Sequence, residues 1–344
     1  MSVKTSVVPR SAPIGRKVII VLFLIGAAGA GYYHWRRYKM PAPVAVAYVL
    51  PESVGVVDSP AEIRLGVTNL KQGDRVEILD RTRNWTKVGL ADGRVGWVES
   101  GNLIDADSYE EGRRLFVQLQ SELPQAAGHV VNTANLRVEP AREAVQLVQL
   151  PANQKIEVFG RRIVERPLQA GAPPSAEPAR DAWYLVRAGS KSGWVLGRLV
   201  SLDVPEAISH YAQSTNLVAW VVLNTVEDNG RQMPQYIVAD REGTPDCDFT
   251  HIRIFTWWVK RQEYVTAYVE GNLNGYFPMR VSQVDGAPYF RLRLVDKNGR
   301  KFQRVYRMFD TIARPLGTVD GWESQAMPAL RGQTSLGPAR HRRR

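Results

Sequence analysis

One cysteine, Cys247, and five histidines are all that 344 residues supply of the side chains most used as nucleophiles, bases and transition-metal ligands. A single cysteine excludes an intramolecular disulfide. Because no cysteine directly follows the apolar segment near the amino terminus, a lipoprotein is excluded too. The compartment stays open on this count, since an exported domain with an adequate core needs no bridges. Also absent are a phosphate-cradling glycine-rich loop, a Gly-x-Ser-x-Gly elbow and a His-Glu-x-x-His zinc helix. Acidic residues are missing from both ends. Lys4, Arg10, Arg16, Lys17, Arg36, Arg37 and Lys39 at one end and Arg340, Arg342, Arg343 and Arg344 at the other account for the whole formal charge of +11. The body between them is neutral, which excludes the cationic stripe of a nucleic-acid reader, and no nucleic acid partner is expected.

Long apolar runs are missing as well, with one exception. Val18 to Gly31 is continuously apolar, preceded by Arg16-Lys17 and followed by Tyr32-Tyr33-His34-Trp35-Arg36-Arg37. With its aromatics it approaches the roughly 17–20 residues that span a bilayer, and interfacial aromatics followed by cations are a usual end of a span. Residues 18–35 therefore read as a transmembrane helix, with 1–17 as a cytoplasmic tail and the body facing the periplasm or exterior. The alternative is a cleaved signal peptide and secretion, because Ala28-Gly29-Ala30 has the small-x-small form of a cleavage site.

What the chain does have is a degenerate repeat. Leu70 to Leu79, Asn84-Trp85-Thr86-Lys87-Val88, Gly96-Trp97-Val98 and Asn102-Leu103 are followed by Leu150 to Phe159, Ala182-Trp183-Tyr184-Leu185-Val186, Gly193-Trp194-Val195 and Arg198-Leu199. In the first copy Asp92-Gly93 is a hairpin signal directly before Val95-Gly96-Trp97-Val98.

This ordered set resembles the bacterial Src-homology-3-like (SH3b) domain, a small β-barrel common in exported and cell-envelope proteins, over residues 44–104 and 129–201. The resemblance implies binding of peptides, from peptidoglycan or from a protein partner, without naming one. Its aromatic residues imply a ligand groove with Trp85, Trp97, Trp183 and Trp194 as candidates, helped in the first copy by Tyr48 and Asp92. The competing reading of Trp97 and Trp194 is that they pack within or against the barrel while Gly admits a close backbone approach.

Between the copies, Ser108-Tyr109-Glu110-Glu111 has capping-box spacing and Leu115 and Leu119 lie a turn apart before Pro124, so a linker helix is expected within 105–124. Residues 161–181, rich in Pro, Ala and Gly, read as a disordered insert. From 203 to 320 the pattern is β-rich: a short helix over 204–213, strands over 216–226 and 234–239, and hairpins around 260–262 and 296–300. Residues 321–344 read as a disordered basic tail. The expected fold is mainly β, with two SH3-like barrels in tandem, a β-rich carboxy-terminal domain and an amino-terminal transmembrane helix.

Such barrels are often joined to cell-wall peptidases of the NlpC/P60 type, whose nucleophile lies in an Asp-Cys-Ser-Gly-like motif. Asp246-Cys247-Asp248-Phe249 lacks the small residues, and Asp248 would raise the thiol pKa. Asp246, Asp248 and His251 are an equally weak metal set, as expected of a carboxylate-capped turn. No cofactor or metal is expected, and the reading is a membrane-anchored, non-catalytic binding protein. Its rivals are a divergent wall hydrolase or its regulator using Cys247, and a structural spacer.

Overall fold

A computed structural model describes residues 42–166, 179–213, 215–243 and 246–325. The expected span over 18–35 lies outside them. Among the described residues no helix is long and apolar enough to cross a membrane. The chain is mainly β and divides into two compact units, residues 1–106 and 107–344.

The first unit holds seven short strands: β1 (Ala45–Val49), β2 (Ser53–Val57), β3 (Gly66–Lys71), β4 (Arg75–Arg81), β5 (Trp85–Gly89), β6 (Val95–Glu99) and β7 (Leu103–Asp105). They form one antiparallel sheet in the order β3-β2-β6-β5-β4-β1-β7. Alternation along each strand sends Ala47, Val56, Val76, Ile78, Val88 and Val98 to a common core. Gly96 is required there: a Cβ would overlap Val56 and come within 2.9 Å of the Val57 carbonyl. Gly93, at φ +81°, makes the β5–β6 turn that Asp92-Gly93 signals.

The second unit opens with helix α1 (Ala106–Gln120) and repeats the strand plan. Strands β8 (Ala126–Val130), β9 (Ala134–Arg137), β10 (Gln146–Leu150), β11 (Lys155–Glu165), β12 (Arg180–Ala188), β13 (Lys191–Leu196) and β14 (Val200–Leu202) run in the order β10-β9-β13-β12-β11-β8-β14. Position for position this is the order of the first sheet. Gly193 stands where Gly96 does, its missing Cβ 2.6 Å from the Arg137 carbonyl.

Two expectations need correction. The insert is shorter than 161–181: residues 161–165 complete β11 and pair with 180–184 of β12, because Arg161, Ile163 and Val164 find ladder partners in Tyr184, Ala182 and Asp181. Only its central residues, 167–178, lie outside the described chain. The tail begins later than 321, since Trp322 donates its indole N–H to the Leu294 carbonyl at 3.0 Å and its ring meets Tyr276.

After helix α2 (Glu206–Ala212) come two antiparallel meanders. The first is β15 (Leu217–Asp228), β16 (Arg231–Asp240), β17 (His251–Trp258) and β18 (Glu263–Glu270). The second is β19 (Gly275–Val284), β20 (Ala287–Val295), β21 (Lys301–Phe309) and β22 (Ile312–Asp320). Their facing residues, among them Val221, Ile237, Ile254, Phe290, Leu292 and Tyr306, build one core. The opposite face of the first meander is buried too. Trp220, Tyr236 and Val238 join Leu136, Val158 and Val186 of the second barrel-like sheet. Strand β16 is therefore apolar on both faces over Tyr236–Ala239, the pattern of a strand covered on both sides. A fully buried Gln125 ties these layers together. Its side chain accepts from Met279 N–H (2.7 Å) and donates to Met279 O (3.2 Å), while its backbone pairs with Val158 and Trp220.

Candidate functional site

In the first unit the register pairs Trp85 with Glu99 and Lys87 with Trp97 across β5 and β6. Their alternation with buried Thr86, Val88 and Val98 puts all four on the outer face, with the two tryptophans diagonal to one another. Both rings are half-buried and carry a cation: the Arg64 guanidinium lies 4.8 Å from the Trp85 ring, and Lys87 Nζ lies 5.9 Å from that of Trp97. Arg64 comes from the β2–β3 loop, which Asp58 and Leu65 close with two hydrogen bonds of 2.9 and 3.0 Å. Its neighbours Ile63 and Leu65 are 91 % and 72 % exposed. The result is a surface of rigid rings, apolar loop residues and charge, which suits contact with an extended ligand.

Two candidates lie elsewhere. Asp92 is in the β5–β6 turn, at the end of β5 opposite Trp85, where it receives Arg94 Nε at 2.7 Å. That bond, ahead of the backbone N–H of Arg94, holds the Asp92 carboxyl below the usual range. Arg94 then reaches the Val67 carbonyl, so Asp92 serves the turn and anchors it to β3. Tyr48 lies on β1, opposite Arg75 and Ile104, with β4 between it and β5.

The second copy places Trp183 opposite Leu196 and Leu185 opposite Trp194 in the same register. Here both tryptophans are buried, at 2 % and 8 % exposure. They pack with Leu196, Val164, Leu185 and Leu199. An arginine again comes from the loop between the second and third strands of the copy, but Arg142 grips a carboxylate. Its Nε and Nη2 donate to Asp181 at 2.7 and 3.2 Å, with Arg166 at 3.4 Å. The Arg142 hydrogen bond holds the Asp181 carboxyl below its ordinary range. Asp181 stands two residues before Trp183; two before Trp85 stands Arg83. A cleft of about 360 Å³ beside Trp183 is lined by Thr133, Asn135, Arg137 and Gln149.

Cys247 is buried, and its thiol donates to the Phe249 carbonyl at 3.4 Å. Burial pushes its pKa up, the reverse of what a thiolate nucleophile needs. Asp246, Asp248 and His251 face three different partners. Asp246 meets Arg180 at 2.5 Å, Asp248 accepts from Phe277 N–H at 2.9 Å near Arg161, and His251 bonds Thr250 at 2.9 Å. Among the described residues no three His, Cys, Asp or Glu side chains converge as a metal site would require. Sequence reasoning missed Ile63, Arg64 and Leu65. Their signal was two bulky apolar residues in a loop otherwise made of Asp, Ser, Pro, Ala and Glu.

No curated protein matches the chain. Among solved structures it is similar to NlpC2 from Trichomonas vaginalis, at 10 % identity over 68 % of this chain and 98 % of that one, with a TM-score of 0.17. NlpC1 from the same organism has 10 % identity over 78 % and 89 %, with a TM-score of 0.18. An NlpC/P60 family protein from Bacillus cereus ATCC 10987 has 11 % identity over 67 % and 97 %, with a TM-score of 0.19. At such TM-scores nothing about this chain's chemistry follows from them. Residues 67–104, from β3 into β7, match the bacterial SH3 domain family, and the face carrying Trp85 and Trp97 belongs to that segment.

Proposed function

We propose that the protein is a non-catalytic binding protein of the cell envelope, anchored by residues 18–35, in which two tandem SH3-like modules share one fold and the first holds the ligand. The ligand is a peptide of peptidoglycan or of a partner protein. One observation carries the choice of module: Trp85 and Trp97 are only half-buried on the outer face of the first module, whereas Trp183 and Trp194 are buried in the second. The β-rich domain then serves as the support to which the second module is fused. The environment of Cys247 weighs against the hydrolase alternative.

The test is sedimentation of the full-length chain with purified wall sacculi. Trp85→Ala is expected to lower the bound fraction at least tenfold, since a half-buried aromatic anchor contributes about 2 kcal/mol, with the melting temperature unchanged. Equal sedimentation of wild type and variant removes the first module as the binding site. Failure of both to sediment leaves the peptide of a protein partner as the ligand class. Wall digestion by wild type that Cys247→Ala abolishes replaces the reading with the hydrolase.

A further inference from the structure

A second cavity, of about 400 Å³, opens inside the second unit where α1, the β11–β13 face and strands β19 and β20 meet. That volume lies within the roughly 300–1,000 Å³ of small-molecule sites, which favour such junctions between packed layers. One wall is apolar: Phe159, Leu185, Trp194 and Pro278. The other is built from arginine. Arg161, with 2 % of its side chain exposed, donates to the Cys247 carbonyl at 3.2 Å, and Arg280 and Arg293 stand close enough for their charges to oppose one another.

Arg161, Arg280 and Arg293 each have a carboxylate neighbour, and the three differ in how firmly they are held, while the guanidinium of the fourth lining arginine, Arg162, lies 5.0 Å from the Trp194 ring. Asp248, 8 % exposed at its side chain, is fixed by Phe277 N–H and lies 3.8 Å from Arg161. Glu122 meets Arg280 at 3.3 Å from the chain just after α1. Glu323 is 77 % exposed and touches Arg293 only through Nη2, at 2.9 Å. Arg293 Nη1 donates to the Phe277 carbonyl at 3.4 Å, while its Nε is buried with no partner among the described residues. A guanidinium binds a carboxylate best through two parallel N–H donors, and the Nε–Nη2 edge of Arg293 is only half used.

We propose that this cavity binds a small amphipathic carboxylate, its acid group bridging Nε and Nη2 of Arg293 beside Arg280 and its apolar body against Phe159, Leu185, Trp194 and Pro278. Glu323 is the placeholder that the incoming carboxylate displaces. Its solvent exposure and single hydrogen bond make it the easiest of the three acids to release. The two fixed acids, Asp248 and Glu122, stay with Arg161 and Arg280, so one acid group on the ligand restores the charge balance that Glu323 gives up.

The test uses 4-phenylbutyrate and its neutral amide as probes, titrated into the full-length chain and followed by saturation-transfer NMR. The acid is expected to bind at least tenfold tighter than the amide, and Arg293→Gln to erase that preference. Glu323→Gln, at an exposed position that leaves folding intact, is expected to tighten the acid threefold or more and leave the amide unchanged. Equal binding of acid and amide overturns the proposal, as does binding of neither. So does a Glu323→Gln variant with wild-type or weaker affinity for the acid, even if Arg293→Gln fails to fold.

Discussion

Where β5 and β6 set Lys87 and Glu99 beside their two tryptophans, β12 and β13 set Leu185 and Leu196 at the matching positions. Two side chains per copy thus distinguish the tryptophan-bearing faces of a common strand plan. In the second unit the leucines pack with Trp183 and Trp194, and the same face borders Phe277 and Pro278 of β19. The loop arginine follows the same division, stacked on a ring in the first copy and ion-paired to Asp181 in the second. Exchanging the residues between copies tests that division directly.

The largest effect is expected from giving the second copy the residues of the first. Leu185→Lys with Leu196→Glu removes both leucines from the cluster around Trp183 and Trp194. A cost of about 4 kcal/mol follows from the lost apolar packing of two leucines. Urea unfolding of the full chain should show the transition of the second unit moved far down or lost, with that of the first unit in place. An unmoved transition would mean that this face is not what holds the second unit together.

The repeat was legible because Gly-Trp-Val and the strand before it are local patterns that steric demand keeps: Gly96 and Gly193 have no room for a Cβ. The difference between copies was written in the same segments, in Lys87 against Leu185, but its meaning needs the register that sets Leu196 beside Trp183. Strand β19 went unread although Asp285-Gly286, at φ +49° and +75°, is a two-residue hairpin signal. Strand β22 follows Asp310-Thr311, a turn with no glycine to announce it. The placement of Asp92 in the β5–β6 turn and of Tyr48 on β1, apart from Trp85, depends on strand order, which sequence does not carry. Gln125 was invisible too, a lone amide after Pro124 in what reads as linker.

That amide supplies the next largest effect. Gln125→Ala leaves the Met279 N–H and carbonyl buried without their partners, at about 1–3 kcal/mol for each unsatisfied group. A loss of about 3 kcal/mol in the second unit, with the first unaffected, is expected in the same urea experiment. Gln125→Glu at neutral pH should cost at least as much, because a carboxylate there loses its hydration and cannot donate to Met279 O.

A smaller effect depends on pH and again separates the units. Burial pushes the Asp248 pKa up to about 6 from 3.8, against the pull of Phe277 N–H and of Arg161; Tyr184 and Cys247 share its surroundings. A raised carboxyl pKa means that the folded state binds the proton more tightly than the unfolded state does. Stability from this group therefore rises as pH falls through 6 and flattens below about 4, the reverse of an ion-paired carboxylate such as Asp181. Between pH 7 and 5 the gain is about 1 kcal/mol. The difference in melting temperature between wild type and Asp248→Asn should change over that interval in the second unit alone. A constant difference would show that Asp248 keeps an ordinary carboxyl pKa.

The smallest effect comes from the opposite exchange, Lys87→Leu with Glu99→Leu in the first copy. Lys87 is half-buried and Glu99 exposed, and neither makes an ion pair among the described residues. A surface change of this kind shifts stability by no more than about 0.5 kcal/mol. The same change joins Trp85 and Trp97 into one apolar patch extended by the exposed Ile63 and Leu65, and large exposed apolar patches associate. The expected outcome is an unchanged urea midpoint for the first unit, together with concentration-dependent association seen by light scattering. A marked gain in stability would show instead that this face is already covered in the wild-type protein, in which case its tryptophans pack internally in both copies and the distinction between the modules is one of composition only.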